Sequence, residues 1–285
     1  MFSSVNAYIR LTRLDRPIGV LLLYILPCWW GITFAAPDSL NLKFLFLFAI
    51  GATLIRGAGC TFNDLVDRDI DAQVARTKTR PLATGELSPR QAFIFFCLQC
   101  LGGLAILVFF LPPRCWPLSL VELTLLALYP FMKRITYWPQ LILGFAMNFG
   151  VIFGAVAVAP YEAINWVPLL SLYGAGIAWT MGYDTIYALQ DKEDDLKIGV
   201  KSTAIRFGDH IKHALGISYG IMFSLLMVVG YGVKAGIAYY GILGVGILIT
   251  TIQVVYLNPT NPSQCQKIFA NPYLGWLIWG ALLSL

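Results

Sequence analysis

Nine apolar stretches joined by short polar connections constrain this chain more than any other feature. They run over about 17–37, 42–62, 91–111, 117–132, 139–159, 164–189, 213–233, 236–257 and 272–285. A helix needs about 20 apolar residues to cross a bilayer, and most of these stretches have that length; the fourth and ninth are short. Of the 285 residues, 58% are hydrophobic and only 12% charged, against about 25% charged in globular proteins. That balance excludes a disordered protein and a disulfide scaffold, and a β-barrel porin would need alternating polar and apolar residues. Proline and glycine occur freely (15 and 26), as membrane helices allow, and small residues let such helices approach closely. No linker separates two soluble domains. The expectation is an all-α integral membrane protein, one domain over residues 1–285, built as a bundle of about nine transmembrane helices.

Lysine and arginine set the orientation, because they are retained on the cytoplasmic side. With the N-terminus cytoplasmic, sixteen of the twenty fall on inner segments, only Lys43, Arg114 and Lys234 lie outside, and Arg56 sits within a span. The net charge of +5 is then a topology signal and no sign of a nucleic-acid partner. Arg10, Arg13 and Arg16 precede the first apolar run without a cleavage-like site, so no signal peptide is expected. The Met1 to Arg13 stretch is very short for a transit peptide. A bacterial inner (plasma) membrane is favoured over a mitochondrial inner membrane. Six cysteines are scattered; Cys97 and Cys100 form a CxxC inside an apolar span without His or acidic partners, which reads as packing. His210 and His213, lacking acidic neighbours, make a poor zinc site.

The acids are not scattered. Eleven of fifteen occupy two short segments: Asp64, Asp67, Asp69, Asp71 and Glu86, then Asp184, Asp191, Glu193, Asp194, Asp195 and Asp209. At about 100° per residue, Asn63, Asp67 and Asp71 share one helical face within about 80°, and Asp184, Asp191 and Asp195 share another within about 40°. By the same arithmetic Arg68, Asp69 and Asp194 point away. Each segment is expected to present an aligned row of carboxylates, continuing the second and sixth spans. Facing carboxylates in a low-dielectric region repel unless a cation neutralises them, and hard oxygen donors in this number suit Mg²⁺ with substrate phosphates. A solvated acidic loop would not repeat one helical phase in two distant segments.

Basic residues lie beside both rows. Arg68, Arg76, Lys78 and Arg80 follow the first, Lys133 and Arg134 end the fourth span, and Lys197 and Lys201 follow the second. Acids alternating with cations at one membrane face suit a diphosphate, which guanidinium groups hold bidentately while a metal bridges its oxygens. Lys78, Arg90, Lys192 and Lys212 read as membrane anchors. No P-loop or G-x-G-x-x-G occurs. A site opening sideways between apolar helices could house a long isoprenoid tail, and Trp29, Trp30, Tyr129, Trp179, Tyr183 and Tyr187 are candidate linings whose ring faces favour cations.

Asn63 to Asp71 reads NDxxDxxxD and Asp191 to Asp195 reads DxxxD. The pair resembles the two signatures of the UbiA superfamily of membrane prenyltransferases. LDRPIG (14–19), YPFMKR (129–134), TRPLATGELS (79–88) and YDTIYALQDKEDD running into KIGVKSTA (183–204) resemble its 4-hydroxybenzoate polyprenyltransferase branch. The resemblance spans residue 8 to the last stretch. It implies a nine-helix fold with a central cavity capped on the cytoplasmic side, and transfer of a polyprenyl group from its diphosphate to 4-hydroxybenzoate in ubiquinone biosynthesis.

On that reading Asn63, Asp67, Asp71, Asp191 and Asp195 hold Mg²⁺ on the diphosphate. Arg68, Arg80, Lys133 and Arg134 meet its remaining charge. Stabilising the leaving group lowers the barrier to C–O cleavage, and the carbon ortho to the phenol oxygen attacks. Asp184, on the face of the second row but deeper, is the candidate for orienting the acceptor or taking a proton. Arg13 or Arg16 is the candidate partner of the acceptor carboxylate, with membrane anchoring as the alternative. A relative using another aromatic acceptor would share the acidic motifs. An ion-coupled transporter is the rival from another class, but the acids cluster at one face rather than the midplane, and no repeat is apparent.

Overall fold

The computed structural model describes residues 2–271 and 273–285. In chain order the helices are α1 (Phe2–Leu11), α2 (Ile18–Val20), α3 (Leu26–Ala35), α4 (Leu42–Asp71), α5 (Pro89–Phe110), α6 (Trp116–Ile135), α7 (Pro139–Asn148) and α8 (Gly150–Val158). They continue with α9 (Trp166–Ala188), α10 (Lys192–Ile198), α11 (Thr203–Phe207), α12 (Ile211–Gly232), α13 (Ile237–Tyr256), α14 (Pro262–Phe269) and α15 (Tyr273–Leu283). Every expected span falls on helix. Among the described residues six helical segments are long and apolar enough to cross a membrane: Leu42–Asp71, Pro89–Phe110, Pro113–Ile135, Pro139–Val158, Thr203–Gly232 and Ile237–Tyr256. The first span is α2 and α3 joined through a π-helical turn over Leu21–Ile25. The sixth is α9 and the ninth is α15, whose expected start at Pro272 lies outside the described residues.

Local chemistry fixes the ends. Asn41 caps α4 by accepting the Phe44 N–H at 3.2 Å. Ser88 and Gln91 close a capping box on α5, with Pro89 in its first turn, so the orphan N–H groups of that end are paired. Inside the bundle α9 packs on α12, α4 on α5 and α3 on α8. The α3–α8 pair is closest where Gly31 lies: a Cβ there would stand 1.9 Å from the Val151 carbonyl oxygen. Gly31→Ala is therefore expected to force the helices apart and cost about 1–3 kcal/mol, read as a lower unfolding midpoint in detergent.

The consecutive helices α5 and α6 behave differently. They meet at their hairpin, where Trp116 Nε1 donates to the Leu107 carbonyl at 3.3 Å, and then splay so that they barely touch. Their outer faces, with Phe93, Leu98, Leu101, Phe109 and Leu120 exposed, suit contact with acyl chains.

At one end of the bundle the connections fold into a cap. Arg10 of α1 pairs with Glu86, and Ala7, Leu11, Leu82, Leu87 and Ala92 form a small second core beneath them. The Ala75 N–H donates to Asp194 Oδ2 at 3.0 Å, which ties the α4–α5 connection to α10. The Lys201 N–H donates to the Lys133 carbonyl at 2.8 Å. Acidic and basic segments distant in sequence are thereby drawn together.

Candidate active site

The last three turns of α4 carry the first acidic motif as a helix, as its spacing requires. Asp64, Asp67 and Asp71 are all buried there, and Asn63 beside them lines a cavity of about 560 Å³ under the cap. The second motif departs from expectation. α9 ends at Ala188, and Asp191 stands in the break at the start of α10. Asp184, Asp191 and Asp195 therefore do not form one continuous row. The chain turns between Leu189 and Asp191, sending Asp184 into the cavity wall while Asp191 and Asp195 belong to the cap.

Each of the three buried aspartates of α4 holds a cation, and so does Asp191; Asp184 has no ion pair among the described residues. Arg13 Nη2 donates to both oxygens of Asp64, at 2.7 and 2.8 Å. Arg80 Nη1 bridges Asp64 at 2.9 Å and Asp71 at 2.7 Å. Asp67, wholly buried, takes Lys133 and Arg134, the latter at 3.2 Å. Arg76 grips Asp191 through Nε at 2.8 Å and Nη2 at 2.5 Å, and its Nη1 donates to the Tyr187 hydroxyl at 2.7 Å. Arg13 reaches Asp64 from a left-handed backbone conformation, φ 61°, which for a non-glycine residue costs about 1–3 kcal/mol and marks sites where geometry is over-determined. Asp195 has no ion pair or side-chain hydrogen bond among the described residues. Burial and the neighbouring Asp191 push its carboxyl up to about 7.

Among the described residues no three His, Cys, Asp or Glu groups converge closely enough to enclose a metal. The donor set nonetheless fits a hard divalent cation. It consists of carboxylate and amide oxygens on α4 and α10, with Asp195 left without a counter-charge, and Mg²⁺ takes one or two such carboxylates with the rest from water and phosphate.

The expected cations sort into three groups. Arg13, Arg16 and Arg80 line the cavity. Lys133 and Arg134 do not; they neutralise Asp67. Arg68 is corrected outright: its Nε pairs with Asp69 Oδ1 at 3.1 Å on the exposed face of α4, because one residue past Asp67 the helix has turned by about 100°. Arg16 is largely exposed and lies beside Asp15, 3.7 Å away. Of the aromatic candidates, Tyr129 and Tyr187 reach the cavity, whereas Trp29 packs on Trp276 and Trp279 and Trp30 is buried against Trp179.

Three residues went unassigned in the sequence. Asp64 follows the i, i+3, i+7 rhythm of Asp67 and Asp71, and Arg56 lies seven residues before Asn63; both were open to helical phase. Arg76 lies in a connection, where no periodicity speaks. Arg56 lines the cavity beside Tyr24, Cys60, Tyr129 and Asp184. Its guanidinium sits 5.6 Å from the Tyr24 ring centre, and its Nε is buried without a hydrogen-bond partner among the described residues.

A second chamber of about 230 Å³ adjoins the first, sharing Tyr24 and Met147 with it. Phe48, Ile55, Leu104, Leu107 and Phe153 line it, and it occupies the space where α5 and α6 diverge. The cavity therefore has a charged end under the cap and an apolar end facing the splayed helices.

Residues 24–279 match the UbiA prenyltransferase family, and the chain belongs to that family. It is 44% identical over 285 residues to the mitochondrial 4-hydroxybenzoate polyprenyltransferase of Drosophila melanogaster, covering 98% of this chain and 71% of that one. It is 40% identical over 275 residues to the 4-hydroxybenzoate octaprenyltransferase of Hydrogenovibrio crunogenus, covering 94% and 92%. The fold matches the apo structure of a UbiA homolog from Aeropyrum pernix, with TM-score 0.77, 24% identity and coverage of 91% and 96%. It also matches a UbiA homolog from Archaeoglobus fulgidus bound to GPP and Mg²⁺, with TM-score 0.70, 20% identity and coverage of 98% and 100%. The protein is an integral multi-pass membrane prenyltransferase.

Proposed function

We propose that the protein transfers a polyprenyl group from its diphosphate to the ring carbon ortho to the hydroxyl of 4-hydroxybenzoate, releasing diphosphate, with the charged end on the cytoplasmic side of a bacterial inner membrane. The observation that carries the reading is the two-ended cavity: paired carboxylates and guanidinium groups at one end, a largely apolar chamber with Glu122 in its wall at the other. Relatives at 40–44% identity named for this acceptor support it. The single domain over residues 1–285 belongs to the same reading.

Asn63, Asp67, Asp71, Asp191 and Asp195 would hold Mg²⁺, which supplies charge neutralisation to the leaving diphosphate. Arg13, Arg76 and Arg80 already neutralise aspartates, and on donor binding they exchange carboxylate for phosphate oxygens. Charge then moves between preorganised partners without reorganising solvent, the condition for strong transition-state stabilisation. Lys133 and Arg134 hold the Asp67 side chain in place. Among the described residues Arg56 has no carboxylate partner, unlike Arg10, Arg13, Arg16, Arg76 and Arg80 around it. An unpaired cation in a low-dielectric wall is costly, and the carboxylate of 4-hydroxybenzoate supplies the missing charge. The phenol then lies towards Asp184, whose carboxylate is placed to orient the hydroxyl or take the proton lost as the ring recovers aromaticity.

The tail runs past Tyr24 and Met147 into the second chamber. Gly51 faces that chamber, and a Cβ there meets nothing nearer than Ile106 at 3.9 Å. Gly51→Phe should fill the channel without disturbing α4. Its kcat/KM for long polyprenyl diphosphates is expected to fall about tenfold or more, while geranyl diphosphate is used as before. Incubating purified protein with labelled donor, 4-hydroxybenzoate and either Mg²⁺ or EDTA tests the reading. Metal-dependent formation of the 3-prenylated acid is expected. Diphosphate release without that product, or no reaction, overturns it.

A further inference from the structure

One wall of the charged end comes from the connection between α13 and α15. The first half of α14 is tied back to α13: Asn261 accepts the Gln264 N–H at 3.1 Å, and Gln264 donates to the Tyr256 carbonyl at 3.0 Å. Its other end, Gln266, Phe269 and Ala270, lines the cavity. Phe269 enters between two tyrosines one helical turn apart on α9. Its ring centre lies 4.4 Å from that of Tyr183 at 27°, and 4.2 Å from that of Tyr187 at 34°.

These contacts complete a column. Trp30 of α3 lies 5.4 Å from Trp179, which lies 5.5 Å from Tyr183. Phe269 follows, then Tyr187, whose ring lies 4.8 Å from the Arg76 guanidinium that holds Asp191. Phe269 is the ring in this column supplied by α14, and it joins the buried aromatic core to the ion pair where the diphosphate is expected to leave. Gln266 on the preceding turn faces the same space.

The place has a chemical consequence, resting on the function proposed above. When the C–O bond breaks, its electron pair leaves with the diphosphate and the allylic carbon becomes cationic. If the acceptor ring attacks, a C–C bond forms and a ring proton is lost. If water attacks, a C–O bond forms to the water oxygen, a proton is released, and the product is polyprenyl alcohol. One donor thus has two fates, decided by what reaches the carbon first. Aromatic faces stabilise the cation, and closing the site to water suppresses its hydrolysis.

We propose that Phe269 is a positioning residue that wedges Tyr183 and Tyr187 together beside the reacting carbon, seals the α14 side against water, and thereby sets the partition between prenyl transfer and donor hydrolysis. A ring that only packs α14 would leave that ratio alone when removed, whatever happened to the rate.

The test measures polyprenyl alcohol and prenylated acid together, in ¹⁸O-labelled water with Mg²⁺ and saturating 4-hydroxybenzoate, for the parental protein and for Phe269→Ala, Phe269→Leu and Phe269→Trp. The alcohol-to-acid ratio is expected to rise about tenfold or more in Phe269→Ala, the oxygen coming from solvent. It should rise less in Phe269→Leu, which keeps most of the apolar bulk and guards against loss of fold in the alanine variant, and return towards parental in Phe269→Trp. A parental ratio in both Phe269→Ala and Phe269→Leu, with the parental protein active, overturns the wedge alone. A parental protein that makes no prenylated acid overturns the function on which it rests.

Discussion

Replacing Asp191 by Asn is expected to lower prenyl transfer by about 10²–10³-fold, the loss typical when one preorganised contact to a developing anion is lost, here through the metal and the Arg76 guanidinium that Asp191 would position. On the proposed reading Asp191 matters twice: it would supply a hard-oxygen donor beside Asp195, and it holds Arg76 through Nε and Nη2 while Arg76 also donates to Tyr187. Asparagine keeps the volume and one oxygen, and Asp191 begins the short cap helix α10 outside the bundle interior. Folding, read by circular dichroism and elution in detergent, should therefore be parental. Asp67→Asn is a poorer probe, because Lys133 and Arg134 would lose the carboxylate that neutralises both. Asp69→Asn serves as the control. Asp69 is 86% exposed and, among the described residues, pairs only with Arg68, so the rate of this variant should match the parental protein. Parental transfer in Asp191→Asn would remove the second acidic motif from the site.

Arg56→Gln is expected to raise the KM for 4-hydroxybenzoate roughly 10- to 100-fold, the worth of a charge-assisted hydrogen-bonded pair, and to leave the donor KM unchanged. The guanidinium lies against the Tyr24 ring and its Nε has no hydrogen-bond partner among the described residues; on the proposed reading its carboxylate partner arrives with the substrate. The discriminating arm uses 4-hydroxybenzyl alcohol, which keeps the phenol and lacks the charge. Parental protein and variant should differ little on it, since the variant loses only the interaction the acid alone can make. Equal losses on both acceptors, or a parallel rise in donor KM, would assign Arg56 to the diphosphate instead.

Most of the fold was legible in the sequence because membrane helices leave a length signature that tertiary context cannot override. All nine stretches fell on helix, including the short fourth, which the structure lengthens to Trp116–Ile135. The first acidic motif was equally legible, since α4 runs unbroken to Asp71 and helical phase holds throughout. Phase failed where the helix did. The turn after Ala188 separates Asp184 from Asp191, and no rotation of 100° per residue carries across a break. Arg68 was misplaced for a different reason: proximity in sequence to Asp67 outweighed its own phase, which pointed outward. Arg76 and Phe269 lie in connections, and only the folded cap brings them to α9. Arg56 was visible as a charge inside an apolar span, the circumstance in which a buried cation signals function.

The structure bound to an unreactive prenyl thiodiphosphate and Mg²⁺ tests the two-ended cavity most directly. The diphosphate is expected within hydrogen-bond reach of Arg13, Arg76 and Arg80, against the aspartates of α4 and α10. The first isoprene unit should lie beside Tyr187 and the tail in the chamber between α4, α5 and α6. A headgroup bound elsewhere, or a tail leaving the chamber of Phe48, Leu107 and Phe153 empty, would contradict the account.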